Sequence, residues 1–146
     1  IAIDTSSSCS RQTVQRFLEE TYSMLSEREN FLKKMNVHII QCDCYIQEDV
    51  TLSCEEDWRA YMKHIRIQGR GGTDFRPVFT YVDRLIEKKK IRNLKGLLYF
   101  TDGDGIYPAK KPDYETAFIL IKEPPQNVKI PSWAIRLYLD ERKAGS

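Results

Sequence analysis

The apolar residues of the chain fall into short runs that alternate between strand-like and helical patterns. A compact run, Ile1 to Ile3, stops at Asp4, and an apolar stripe at helical spacing follows from about Arg11 to Met35. Charged residues fill the other side of this stripe, as in a surface helix. A nearly unbroken apolar run then begins at Val37, which is typical of a strand buried on both faces. The opening unit is therefore predicted to be strand, helix, strand.

The middle of the chain continues this alternation. Residues 49–53 are a short β-prone run that we expect at the sheet edge, antiparallel to its neighbour. A helix from about Cys54 to Ile65 should follow, and Ser53 with Glu56 predicts a capping box at its start. Pro77 suits the first turn of a further helix. The buried side of that helix is predicted to be Val78, Phe79, Val82, Leu85 and Ile86.

Three more strands are predicted towards the end of the chain. Residues 97–100 and 117–121 are apolar runs, and residues 133–139 alternate as in a strand half exposed near an edge. The connections between these strands contain prolines and no helical period, so we expect loops there. Strands that alternate with helices predict an α/β fold, a three-layer, doubly wound and mainly parallel sheet with helices on both faces and a short antiparallel edge strand.

Length and charge narrow the class of protein. The 146 residues suit one domain, residues 1–146, and the apolar start at Ile1 leads us to expect the C-terminal part of a longer protein. A net charge of +2 gives no whole-molecule attraction to nucleic acid or to an anionic membrane. The apolar runs are far shorter than the roughly 20 residues that span a bilayer. We therefore expect a cytoplasmic protein with no nucleic-acid or membrane partner.

The cysteines and histidines do not form a recognisable zinc motif. Cys42 and Cys44 are separated by a single residue, whereas zinc sites favour C-x-x-C pairs. Buried reduced thiols are the better interpretation of the cysteines. His38 falls on a predicted strand and His64 on a predicted helix, so we expect both to be structural. The sequence contains no H-E-x-x-H motif of zinc peptidases.

Residues with hard oxygen donors follow the predicted strand ends. Asp4 is followed by Ser6 and Ser8, Asp102 ends the strand that begins at residue 97, and Thr73 lies in a glycine-rich loop. Ligands of parallel sheets bind beyond the carboxyl ends of the strands, so we expect these residues to converge there. Hydroxyl and carboxylate oxygens suit Mg²⁺, Mn²⁺ or Ca²⁺ rather than zinc.

These pieces resemble a known type of metal site. D-T-S-S-S, G-G-T and T-D-G are similar to the metal-ion-dependent adhesion site of von Willebrand factor A-type (VWA) domains. The segments G-R-G-G-T-D-F-R-P-V-F and Y-F-T-D-G-D-G-I-Y-P most resemble the C-terminal VWA-like domain of bacterial proteins described as predicted metal-dependent peptidases. The resemblance implies that Ser6 and Ser8 bind the cation directly, Thr73 directly or through water, and Asp4 and Asp102 chiefly through waters.

The function that this resemblance implies is a divalent-cation-dependent protein-binding module. Mg²⁺ bound mainly by neutral hydroxyls and waters would accept a carboxylate from a protein partner, which family context suggests is the protein's own N-terminal region or a AAA+ ATPase. One alternative is a metal-dependent hydrolase with Asp43, Asp74 or Asp104 as general base. Another is a structural VWA-like domain that binds no metal. Whether the domain is an enzyme stays open.

Several charged residues near these motifs have two possible roles. Asp43 suits either support or partner contact at the site or a solvated turn, and Asp74 is expected to cap the helix that starts near Pro77. Asp104 is an alternative to Asp102 as the acidic member of the site, although the resemblance favours Asp102. Arg70 and Arg76 flank the glycine-rich loop, where they either hold its shape or contact an acidic ligand.

Overall fold

The structure, a computed structural model, describes residues 1–6, 9–27 and 36–139. The described residues form six strands: β1 (Ala2–Asp4), β2 (Val37–Cys42), β3 (Ile46–Leu52), β4 (Leu97–Thr101), β5 (Thr116–Leu120) and β6 (Ile135–Tyr138). They also form three helices: α1 (Arg11–Ser26), α2 (Glu55–His64) and α3 (Arg76–Glu87). Among these residues, no helix is both long and apolar enough to cross a bilayer.

The strands form one sheet in the order β3-β2-β1-β4-β5-β6. β3 pairs antiparallel with β2, and the other neighbouring pairs are parallel. This confirms the predicted mainly parallel sheet with an antiparallel edge strand. The strand order reverses at β1 and β4, so the crevice beyond the carboxyl ends of these two strands is the expected ligand position.

Two apolar cores cover the two faces of the sheet. Ala2 and Tyr99 belong to a core that α3 closes, whereas Ile3 and Phe100 belong to a core that α1 and α2 close. Neighbouring residues of one strand thus enter opposite cores, as the alternation of side chains along a strand requires. On the second face Phe17 of α1 stacks on Phe100 with ring centroids 4.5 Å apart. The three-layer arrangement is therefore confirmed.

Two helix boundaries differ from the sequence-based prediction. Helix α1 begins at Arg11, capped by the Ser10 hydroxyl, but ends at Ser26 instead of Met35. The rest of that prediction, residues 28–35, lies outside the described residues. The capping box at α2 is wrong, because the N-cap is Cys54, and the side chain of Asp57 accepts the N–H of Ser53 at 2.9 Å.

Helix α3 starts as predicted, with proline in its first turn, and buries four of the five predicted residues. Ile86 is the exception, with 38% of its surface exposed. It follows Leu85 directly, which turns it away from the sheet near the helix end.

No helix forms in the described connections on either side of β5, as the prolines predicted. This leaves the last part of the sheet thinly covered. All four residues of β6 are exposed, whereas the sequence predicted only one exposed side. Without covering helices, β6 is solvated on both faces, with 44% of Ile135 and 48% of Leu137 exposed.

Candidate metal-binding site

Asp4 is the most buried acidic side chain of the site, with 0% of its surface exposed. It ends β1, and its Oδ1 accepts the Ser6 N–H at 2.9 Å while its Oδ2 accepts the Thr101 hydroxyl at 2.6 Å. Burial raises the pKa of Asp4, the two donors oppose this rise, and the negative charge of nearby Asp102 adds to it. A cation at this position would compensate the buried charge.

Asp102 follows β4 and is held by a tight turn. Its Oδ1 accepts the Asp104 N–H at 3.0 Å, and the Gly103 N–H donates to the Thr101 hydroxyl at 3.1 Å. Gly103 has a φ of +85°, which glycine adopts without strain. Asp102 is 6% exposed whereas Asp104 is exposed. This difference favours Asp102 as the acidic member of the site, in agreement with the resemblance.

Thr73 lies in a loop that packs directly against the loop after Asp102. A Cβ atom at Gly105 would lie 2.7 Å from Cγ2 of Thr73, so only glycine permits this approach. The Phe75 N–H donates to the Ile106 carbonyl at 3.0 Å, which joins the two loops. Ser6 adjoins Asp4 through the bond already described.

The structure therefore brings Asp4, Ser6, Thr73 and Asp102 to the same end of the sheet. Ser8, the remaining predicted ligand, lies outside the described residues. Of the predicted set, the relation of Asp4 to Ser6 is local, whereas Thr73 and Asp102 arrive through the loops that follow α2 and β4.

Asp43 organises the glycine-rich loop, although it is not one of the predicted ligands. Its Oδ2 accepts the Gly71 N–H at 2.9 Å, and its Oδ1 accepts the Tyr45 N–H at 3.1 Å and the Gln47 side-chain amide at 3.0 Å. Partial burial raises its pKa, but these donors outweigh burial and hold the pKa below its ordinary value. A Cβ atom at Gly69 or Gly71 would lie 2.8 Å from Oδ2. The glycines thus allow the loop to wrap closely around this carboxylate.

Both arginines beside the loop have a structural partner. The Arg70 guanidinium donates to the Cys9 carbonyl, and the Arg70 N–H donates to the Thr5 carbonyl at 2.9 Å. Arg70 has a φ of 77°, an uncommon conformation for a residue with a side chain. These bonds tie the glycine-rich loop to Thr5 and Cys9, the residues that flank positions 6–8.

Arg76 forms an ion pair with Asp74, in which its Nη2 lies 2.9 Å from Asp74 Oδ2. Asp74 Oδ1 also accepts the Arg76 N–H at 3.0 Å, at the first residue of α3. This is the local capping that we expected of Asp74. The Arg76 side chain shields one side of Asp74 while its outer surface stays exposed.

Sequence reasoning gave no role to Thr101 or Gly105. Thr101 donates to Asp4 across 97 residues of sequence, and no local pattern reports such a contact. A hydroxyl placed directly before the acidic residue of a strand end was the available signal. For Gly105 the signal was a glycine in the turn that follows Asp102.

The donor set suits a hard divalent cation. Ser6 and Thr73 supply neutral hydroxyls and Asp4 and Asp102 supply carboxylates, which are oxygen ligands that Mg²⁺, Mn²⁺ and Ca²⁺ accept. Within the described ranges, no group of three or more His, Cys, Asp or Glu side chains is arranged to hold a metal ion. A cation at this end of the sheet would therefore depend on the hydroxyls as well as on the two carboxylates.

A family model described as "VWA-like domain (DUF2201)" matches residues 1–140. The chain belongs to this VWA-like family. The match agrees with the strand order and with the antiparallel edge strand. No curated protein and no solved structure shows significant similarity to the chain.

Proposed function

We propose that this VWA-like domain is a divalent-cation-dependent protein-binding module. The observation that supports the proposal best is the buried Asp4 carboxylate, which lies close to Asp102 and adjoins the Ser6 backbone. Two nearby carboxylates in a buried position repel each other unless a cation or a proton compensates them. In this proposal Ser6, Ser8 and Thr73 hold the cation through hydroxyls, and Asp4 and Asp102 act chiefly through waters.

The proposed ligand of the module is a carboxylate on a protein partner. Mg²⁺ prefers six oxygen ligands at about 2.0–2.1 Å and keeps waters that can be exchanged. When bound, the cation supplies a positive charge with an exchangeable position. The chain's own residues hold this position open, because Asp4 is engaged by Thr101 and Ser6 and Asp102 is engaged by Asp104. The protein's own N-terminal region and a AAA+ ATPase are the proposed sources of the carboxylate.

The carboxylates considered as general bases have other roles, which weighs against the hydrolase alternative. Asp43 accepts three hydrogen bonds, and the Arg76 side chain, followed by its backbone N–H, lowers the pKa of Asp74. A base with a lowered pKa accepts a proton poorly near neutral pH. Asp104 is exposed, and its hydrogen bond to Asp102 is made by its backbone N–H and not by its side chain.

The proposal is tested by calorimetric titration of the protein with Mg²⁺ and Mn²⁺. We expect binding in the millimolar range or tighter, and a loss of at least about tenfold in Ser6→Ala and Asp102→Asn, because each removes an oxygen donor or a charge. Asp104→Asn is the matched control, since it removes an exposed charge two residues from Asp102. Absence of binding at a metal concentration of roughly ten millimolar, or equal effects of Asp102→Asn and Asp104→Asn, would contradict the proposal.

A further inference from the structure

A groove of about 460 Å³ lies between α3 and the hairpin that joins β2 and β3. One side of the groove is a single face of α3, formed by Pro77, Thr80, Tyr81 and Arg84 at spacings of three and four residues. Ile46, at the start of β3, forms the opposite wall, and Asp74 and Arg76 lie at one end. The groove therefore has an apolar middle and an arginine at each end.

The end of the groove at Asp74 adjoins the proposed metal site. Asp74 directly follows Thr73, and its N–H donates to the Asp43 carbonyl at 3.1 Å. On its other side Asp74 forms a parallel bridge with Ile106, in the loop after Asp102. The segments that carry Asp43, Asp74 and Ile106 thus lie side by side beyond the sheet.

Large apolar side chains are exposed around this junction. Tyr45 is 73% exposed on the β2–β3 turn, and Ile106 is 50% exposed on the loop after β4. Both belong to the small set of exposed large apolar residues in the described part of the chain. Exposed aromatic and aliphatic side chains next to a groove are typical of protein-binding surfaces.

The two arginines of the groove differ in whether an acid pairs with them. Arg76 is neutralised by Asp74. Arg84 has no ion-pair partner among the described residues. Asp49 on β3, which faces the same helix, is already bound by His38 and Tyr81. Arg84 is therefore a cation available to a ligand at the far end of the groove.

The spacing of these groups defines the shape of a ligand. Arg84 follows Arg76 by two helical turns, which corresponds to about 12 Å along α3. An extended chain advances about 3.3 Å per residue, so about four residues span the distance between the two arginines. Thr73 and Asp74 precede Arg76, so a segment that also reaches the proposed metal site has to continue past Arg76. Between its ends such a segment passes over Ile46, Pro77 and Tyr81.

We propose that the groove binds an extended segment of the partner that carries two carboxylates at least about four residues apart, with an apolar residue between them. One carboxylate occupies the open position at the metal, and the second pairs with Arg84. The apolar side chain packs against Ile46 and Pro77. The inference rests on the proposed function for the first carboxylate only, because Arg84 and the apolar middle of the groove do not depend on a metal.

The probes are the synthetic peptide acetyl-Glu-Ala-Leu-Ala-Glu-amide, called the parent, and longer peptides with further alanines between the glutamates. Each is titrated into the isotope-labelled protein with Mg²⁺ while backbone amide signals are followed by NMR. We expect saturable shifts of the signals of Ile46, Tyr81 and Arg84. Arg84→Gln should weaken binding roughly 5- to 20-fold, the range expected for loss of a partly exposed charge pair. Arg92→Gln is the matched control, an exposed arginine at the opposite end of the strands, and should bind within about twofold of wild type.

Variants of the peptide test the two-carboxylate requirement. Replacement of either glutamate by glutamine should weaken binding, and so should a Glu-Leu-Glu peptide, whose carboxylates are too close together to reach both ends. The groove assignment is overturned if Arg84→Gln binds like Arg92→Gln, if a peptide with both glutamates replaced by glutamine binds as tightly as the parent, or if no peptide shifts the groove signals.

A titration in EDTA separates this inference from the proposed function. Binding that needs Mg²⁺ but not Arg84 keeps the proposed function and overturns the groove. Binding that needs Arg84 in both EDTA and Mg²⁺ with equal affinity supports the groove and contradicts the metal-dependent function. Dependence on both Mg²⁺ and Arg84 supports the two together.

Discussion

At the scale of single residues, Asp4 carries an electrostatic strain that the fold does not relieve by itself. Its carboxylate has no exposed surface and accepts hydrogen bonds from the Thr101 hydroxyl and the Ser6 backbone. Burial nevertheless outweighs these donors and raises the pKa of Asp4 above its ordinary value of 3.8. The ionised form of this residue is therefore less stable in the folded protein than in the unfolded chain.

This imbalance predicts a pH dependence in EDTA. Below the ordinary pKa, Asp4 is protonated in both states and does not affect stability. As the pH rises from about 4 through the raised pKa, the unfolded chain releases its proton first, so the folded protein loses stability. Wild type should thus lose free energy of unfolding relative to Asp4→Asn between about pH 4 and pH 7, measured by urea unfolding.

Mg²⁺ should reduce this loss of stability, because it favours the ionised form of the Asp4 carboxylate. With Mg²⁺ the loss in wild type should shrink, while Asp4→Asn should respond little. The acids with lowered pKa values, Asp43, Asp49, Glu56 and Asp74, are present in both proteins and cancel in the comparison. A wild-type curve parallel to that of Asp4→Asn at all pH values would contradict the assignment.

Single residues also show what the sequence could and could not predict. Asp4 and Asp102 could be placed at strand ends because each interrupts an apolar run, which is a local pattern. The Thr101–Asp4 bond was not found, because it joins residues 97 positions apart and depends on how β4 pairs with β1. The capping box at α2 was predicted from Ser53 and Glu56, but Asp57 accepts the Ser53 N–H instead. The local sequence does not show which of two neighbouring acids makes this bond.

At the scale of elements, the antiparallel strand β3 is fastened to α3 by a polar chain through Asp49. His38 on β2 contacts Asp49 Oδ1 at 2.9 Å, and the Tyr81 hydroxyl of α3 donates to Asp49 Oδ2. His38 was expected to be structural, and its contact with Asp49 agrees with this. The link joins two strands and a helix on the side of the sheet that also bears the groove.

Removal of the Tyr81 hydroxyl tests this link. We expect Tyr81→Phe to lower the free energy of unfolding by roughly 1–2 kcal/mol, because a partly buried carboxylate loses a donor. Urea unfolding measures the change, and Tyr45→Phe is the control, since Tyr45 is 73% exposed. If the two variants are equally stable, the Asp49 link contributes nothing measurable.

The sequence predicted the presence of the helices and strands better than the residues at which they begin and end. The apolar runs identified the strands, because a buried strand needs continuous apolar residues whatever it pairs with. The predicted end of α1, Met35, was wrong because the apolar stripe of the sequence continues past Ser26 without a glycine or proline to stop it. The exposure of β6 was underestimated, because alternation indicates a buried face only where another layer covers it.

At the scale of the whole molecule, two cores share one sheet. Trp58 lies in the core closed by α1 and α2, and Trp133 packs against the core closed by α3. Strands β1 to β5 contribute to both cores, so neither core can lose its packing without disturbing the sheet that supports the other. The domain should therefore unfold as one cooperative unit.

The two tryptophans allow this to be measured. In Trp133→Phe the fluorescence reports on Trp58, and in Trp58→Phe it reports on Trp133. We expect the fluorescence transition in urea to coincide with the far-UV circular dichroism transition within each variant, whatever its stability. A fluorescence midpoint that precedes the dichroism midpoint in one variant would show that its core melts separately.

The bond between Thr101 and Asp4 has a consequence for the order in which the molecule is made. Asp4 lies in the first strand of the chain, but its hydroxyl partner and Asp102 are synthesised only when β4 is complete. A growing chain that ends before β4 contains Ser6 and Ser8 but lacks β4, the strand that pairs with β1 at the candidate site. Closure of so long a loop carries an entropy cost that the later strand pairing must offset. Under the proposed function, a chain would therefore become able to bind the cation only after β4 and Asp102 have been synthesised.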